Sequence, residues 1–107
     1  MKEIKAYIRR IRLQKVLDTL HAHPQLPGVT CSEVTGFGRT RSTETPDTVC
    51  SSMTKLEMVV PEEQVREVVD VLLESARTGD GRTGDGMIFI SSVEKAVRIR
   101  TGLSEGP

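Results

Sequence analysis

The chain has 107 residues, a length that builds one domain with a core large enough to fold and small enough to favour association. Basic and acidic residues balance at 15 each, so no long-range field gathers nucleic acid, and one Tyr, two Phe and no Trp leave no stacking platform for RNA. No apolar run reaches membrane-spanning length, and the opening Met-Lys-Glu-Ile-Lys-Ala-Tyr-Ile lacks the apolar stretch of a secretion signal, which predicts a cytoplasmic protein that is not inserted in a membrane.

Glu3 to Arg9 alternates, with Ile4, Ala6 and Ile8 on one face, and reads as a strand. Leu13, Val16, Leu17 and Leu20 then recur at helical spacing until Pro24 and Pro27-Gly28 end the helix. Val29 to Phe37 is rich in β-formers and predicts a second strand. From Arg39 to Ser52 the composition turns to Thr, Ser, Arg, Pro and Asp with almost nothing to bury, which predicts a mobile, functional loop. Lys55 to Val60 is a third strand. Pro61-Glu62-Glu63 opens a second helix, its acids facing the positive end of the dipole. Val65, Val68, Val69, Leu72, Leu73 and Ala76 form one apolar stripe there, and Gly79 is placed to cap it. Met87 to Ser91 is a fourth strand, and Ala96 to Arg100 a short extended piece that sets Arg98 and Arg100 on one face. The order βαβ–loop–βαβ predicts an α+β, ferredoxin-like sandwich with an antiparallel sheet.

Three segments carry the candidate chemistry: Thr35-Gly36-Phe37-Gly38-Arg39, the run Ala76-Arg77-Thr78-Gly79…Gly84-Asp85-Gly86-Met87-Ile88-Phe89, and Arg98-Ile99-Arg100-Thr101-Gly102. Glycine lets backbone N–H groups approach a ligand closely, and arginine supplies planar charged forks for phosphate. Together they predict one nucleotide site assembled in space. Each has an ordinary reading as well: Gly36-Phe37-Gly38 as a strand-end turn, Gly84-Asp85-Gly86 as a hairpin turn, Arg98 and Arg100 as a solvated face. A turn that exposes its N–H groups also suits a phosphate. Cys31 and Cys50 show no metal spacing. Cys31 reads as a small buried hydrophobe and Cys50 as an exposed loop residue, while His21 and His23 read as surface residues. No nucleophile stands with a base, so no catalytic residue is predicted.

The segments Thr35 to Arg39, Val59-Val60-Pro61-Glu62-Glu63-Gln64-Val65, Ala76-Arg77-Thr78-Gly79, Gly84-Asp85-Gly86 and Arg98-Ile99-Arg100-Thr101-Gly102 resemble, in that order, the P-II signal-transduction family. The resemblance covers nearly the whole chain. It implies one domain over 1–107, a T-loop at about 39–52 and a C-terminal tail at about 101–107. It further implies a homotrimer with adenine nucleotides in its inter-subunit clefts, acting on a membrane transporter or an enzyme. The site residues carried over are Thr35, Gly36, Phe37, Gly38, Arg39, Thr40, Gly84, Asp85, Gly86, Met87, Arg98 and Arg100.

Departures from the family pattern shape the expected chemistry. The loop is shorter than in the nitrogen-regulated branch, and Tyr7, the one tyrosine, falls in the first strand, so loop tyrosine modification is ruled out. Thr40 stands where the family has a Gln that helps hold magnesium and 2-oxoglutarate; threonine is short and lacks the amide oxygen that suits a hard cation. Met53 and Met87 stand where the family has lysines for the outer phosphates. Each change removes a charge-assisted contact, roughly 1.5–3 kcal/mol. AMP and ADP are therefore expected to compete well with ATP, although Arg82, in the inserted Asp80-Gly81-Arg82-Thr83, is a candidate substitute charge. The divergent loop points towards bicarbonate or metal transport rather than nitrogen assimilation, with bicarbonate a candidate co-ligand. The alternative is a metal-binding trimer of similar fold using Cys50 with His21 or His23. Nucleotide hydrolysis is disfavoured by the missing lysines and glutamine.

Overall fold

A computed structural model describes residues 1–39, 48–79, 81 and 84–105, with backbone alone at 37–39 and 48–51. The elements are β1 (Lys2–Arg9), a 3-10 turn (Arg10–Arg12), α1 (Leu13–His21), β2 (Thr30–Arg39), β3 (Thr48–Val60), a second 3-10 turn (Glu62–Gln64), α2 (Val65–Ala76), β4 (Gly86–Ser92), β5 (Ala96–Val97) and β6 (Ser104–Glu105). Four strands form one sheet in the order β2-β3-β1-β4, every neighbouring pair antiparallel. Each βαβ unit therefore straddles one strand of the other unit, which is the expected ferredoxin-like arrangement.

Strand periodicity divides the sheet into two faces. Ile4, Ala6 and Ile8 of β1 and Leu56, Met58 and Val60 of β3 are buried against Val16 and Leu20 of α1 and Val68, Val71, Leu72 and Ala76 of α2. The opposite face carries Lys5, Tyr7 and Arg9 on β1, Lys55, Glu57 and Val59 on β3, and Met87 and Phe89 on β4. Among the described residues no helix covers that face, and Val59, Met87 and Phe89 are exposed on it. Tyr7 and Phe89 meet edge to face there, with ring centroids 6.1 Å apart and planes at 85°.

The structure corrects five expectations. The stretch 48–52 is not loop: it pairs Thr48 with Arg39 through Ser52 with Thr35, making β2 and β3 a long hairpin arm. Backbone pairing holds such polar residues in a strand without burial. The rest of that loop, 40–47, lies outside the described residues. Cys31 is exposed rather than buried, because β2 lies at the sheet margin while the core sits over β1 and β3. The α2 stripe is rotated towards α1, so Val71 and Ser75 are buried while Leu73 is 43% exposed. The buried Ser75 hydroxyl donates back to the Val71 carbonyl at 2.6 Å. Gly79 does not cap α2; Arg77 at the cap is already extended, and Gly79, at φ 58°, turns the chain two residues later. The Arg12 guanidinium serves that helix end by donating to the Ser75 carbonyl at 3.0 Å.

The fifth correction concerns the end of the chain. Only Ala96 and Val97 are strand; the chain then turns, with the Gly102 amide donating to the Arg98 carbonyl at 2.7 Å. Ser104–Glu105, taken from the sequence as tail, pairs with β5. Arg98 thus enters a turn and Arg100 lies within it, instead of the two alternating along one strand.

Candidate functional site

One end of the four-stranded sheet gathers two of the three glycine and arginine segments. Arg9, the last residue of β1, lies opposite Met53 of β3, which lies opposite Val34 of β2. On the other side of β1, Ile8 pairs with Gly86 and Tyr7 with Met87. The Gly84–Met87 turn and the Thr35–Gly38 stretch therefore share a sheet end, three strand spacings or roughly 14 Å apart. Gly36 faces Met53, whose sulfur lies 3.8 Å from where a Cβ would stand. Among the described residues nothing else comes within 4 Å of that position, so the missing side chain leaves open space over the backbone on their side.

Glycine at 84 and 86 has the opposite explanation. Both adopt positive φ, 92° and 116°, which side-chain-bearing residues rarely do. A Cβ at Gly86 would stand 1.7 Å from the Tyr7 carbonyl oxygen, and one at Gly84 would stand 3.2 Å from a terminal guanidinium nitrogen of Arg9. Between them, Asp85 is largely buried. It accepts from Arg9 Nε at 2.8 Å, from the Thr78 amide at 2.9 Å and from the Thr78 hydroxyl. One carboxylate thus pins the segment leaving α2 to the end of β1. Charge-assisted bonds of this kind are the strong ones, and they hold the turn's backbone in a fixed shape. Asp85, one of the residues expected at the site, braces the turn. Thr78 lies in the Ala76–Gly79 segment singled out from the sequence, whereas the part played by Arg9 in holding the turn was not read there. The only signal was a charged pair, Arg9-Arg10, closing an alternating strand, and nothing local connects it to an acid 76 positions away.

Arg98 and Arg100 stand apart. They belong to the β5–β6 hairpin, a separate two-stranded sheet, and Arg98 forms a bidentate ion pair with Glu105 inside it. A cavity of about 430 Å³ between α2 and β4 is lined by Gly86, Met87, Leu72, Leu73 and Ile88 among others, and by no hairpin residue. A single chain brings together the turn and the β2 segment but not the arginines.

A family profile described as "Nitrogen regulatory protein P-II" matches residues 1–103. The chain belongs to the P-II family. Among its relatives, a "Nitrogen regulatory protein P-II 2" of Methanothermobacter thermautotrophicus is 46% identical, over 97% of this chain and 93% of the relative. A "Nitrogen regulatory protein P-II" of Synechocystis is 45% identical, over 95% and 94%; that of Haemophilus influenzae is 39% identical over the same shares. Membership places this P-II chain among regulatory signal-transduction proteins.

Thr40 and Arg82 lie outside the described residues, as do the side chains of Phe37, Arg39 and Cys50. Met87 is exposed beside Tyr7, pointing its thioether away from the core. His23 is half-buried, with Nδ1 2.8 Å from a Glu67 oxygen that Gln25 also contacts, while His21 is exposed. Among the described residues, no three His, Cys, Asp or Glu side chains converge to hold a metal ion. No helix among them is long and apolar enough to cross a membrane.

Proposed function

We propose that this P-II protein is a cytoplasmic, single-domain adenine-nucleotide sensor that works as a homotrimer. It presents its 39–52 arm to a transporter or an enzyme. The observation that carries the reading is the braced Gly84–Gly86 turn, two positive-φ glycines around a carboxylate locked on Arg9 and Thr78. Such a turn holds its N–H groups outward in a fixed array suited to phosphate. Its neighbour at the sheet end is the β2 backbone around Gly36, open for lack of a side chain. The separate hairpin supports a site shared between subunits, in which Arg98 and Arg100 reach the phosphates from a neighbouring copy. The open sheet face, with Tyr7, Phe89, Met87 and Val59, supplies the surface for association.

Nucleotide choice follows from charge. With methionine at 53 and 87, the outer phosphate has few cationic partners, so AMP and ADP bind at least as tightly as ATP, with little help from 2-oxoglutarate. Binding shifts the arm between populations that differ in affinity for the target. The partner fits bicarbonate or metal transport better than nitrogen assimilation, and bicarbonate can share the cleft. Calorimetry with AMP, ADP, ATP and cyclic AMP, with and without bicarbonate, tests the reading. Tight magnesium-dependent ATP binding enhanced by 2-oxoglutarate would overturn the selectivity, and no binding of any adenine nucleotide would overturn the function.

A further inference from the structure

Arg98, one of the two arginines assigned to the phosphates, is already occupied in the isolated chain. Its Nε and one terminal nitrogen donate to the two carboxylate oxygens of Glu105, the second at 2.9 Å. The contact is built into the hairpin. Glu105 lies opposite Ala96 in the β5–β6 register, and the Arg98 amide donates to the Leu103 carbonyl at 3.0 Å. Arg100, two residues on, makes no hydrogen bond or ion pair among the described residues. The pair therefore singles out one arginine.

A guanidinium fork takes a carboxylate and a phosphate with the same paired N–H groups. The two anions cannot hold that edge together. Resting on the nucleotide reading above, we propose that Glu105 is a tethered competitor for Arg98, displaced when a nucleotide phosphate arrives, and that it sets the affinity threshold of the site. The side chains of Arg98 and Glu105 are 51% and 46% exposed, so a ligand from solvent can reach and replace the contact. The hydrogen bond from Arg98 holds the Glu105 carboxyl below the usual carboxylate range, which keeps the competitor charged at neutral pH. Because the carboxylate travels on the same hairpin, its effective concentration is fixed by the fold. An exposed pair of this kind leaves a sizeable free fraction of Arg98, so the expected loss of affinity is about two- to fivefold.

The test is calorimetric titration of the full chain with ADP, using adenosine as a ligand that brings no phosphate. Glu105→Gln is expected to tighten ADP about two- to fivefold and to leave adenosine unchanged. The gain should vanish when Arg98→Ala is added and survive when Arg100→Ala is added. A gain that persists without Arg98 would mean only that a negative charge had been removed, and would overturn the proposal. Unchanged ADP affinity in Glu105→Gln would do the same while leaving the nucleotide reading in place. Failure of ADP to bind to the parent protein and to Glu105→Gln would instead remove the nucleotide reading, and the proposal with it.

Discussion

Gly36 and Gly86 sit at the same end of the sheet, yet the reasons for glycine differ, and substitution separates them. At Gly86 an added methyl would collide with the Tyr7 carbonyl at 1.7 Å, with φ at 116°. Alanine there must push β4 off β1, and Gly86→Ala is expected to cost about 3 kcal/mol or more in a denaturant titration. At Gly36 the same methyl meets, among the described residues, only the Met53 sulfur at 3.8 Å. Gly36→Ala should change stability by less than about 1 kcal/mol while weakening nucleotide binding, if the ligand approaches that backbone as proposed. If Gly36→Ala leaves affinity untouched, the β2 segment is not part of the site. Met87 offers the converse experiment. Its side chain is 60% exposed beside the braced turn, so a lysine fits without repacking. Met87→Lys is expected to favour ATP selectively, by at most the roughly 1.5–3 kcal/mol of one charged contact. An equal gain for AMP would show that residue 87 faces an inner phosphate.

At the scale of elements, the Asp85 brace joins the end of α2, the turn and β1. Asp85→Asn keeps the shape but loses the charge, with an expected loss of about 1–2 kcal/mol. Hydrogen exchange at the Thr78 amide should accelerate in that variant, while amides in the β1–β3 ladder stay protected. Uniform acceleration would mean that the brace supports the whole fold instead of the turn. The hairpin responds to pH in a defined direction. Glu105 has a lowered folded value, chiefly from the Arg98 hydrogen bond. Its contact therefore contributes above the usual carboxylate range and is lost as pH falls through that lowered value. The Arg98 Nε–H resonance should move towards that of a free guanidinium in the same window. The elements of the core were legible because burial imposes a period: Ile4, Ala6 and Ile8 alternate on β1, and Val68 and Leu72 recur on α2. The arm at 48–52 was not, since Thr, Cys and Ser held by backbone pairing carry no hydrophobic signal. Cys31 misled for a related reason, as strand periodicity gives a face but not whether a helix covers it. The glycine turns of the candidate site were readable as motifs. The bond from Asp85 to Arg9 spans 76 positions, and no local pattern encodes it.

For the whole molecule, the separation of turn and hairpin makes a prediction about assembly. If one nucleotide touches Gly84–Met87 of one subunit and Arg98 and Arg100 of its neighbour, two defective proteins can repair each other. One partner carries Gly36→Asp, which places a carboxylate in the proposed cleft, where the described residues leave room for a side chain. The other carries Arg98→Ala and Arg100→Ala, both exposed residues whose loss spares the core. Neither homotrimer should bind ADP well. After denaturation and refolding together in equal amounts, random assembly places an intact β2 segment beside an intact hairpin at about one site in four, and that fraction should bind with parental affinity. No recovery in demonstrably mixed trimers would place the whole site within one subunit. Phe89→Glu provides the companion measurement. It puts a charge on the uncovered face, next to Tyr7 and away from the core. The protein should then sediment as a folded monomer and lose ADP binding together with its trimer, because the two halves of the cleft no longer meet.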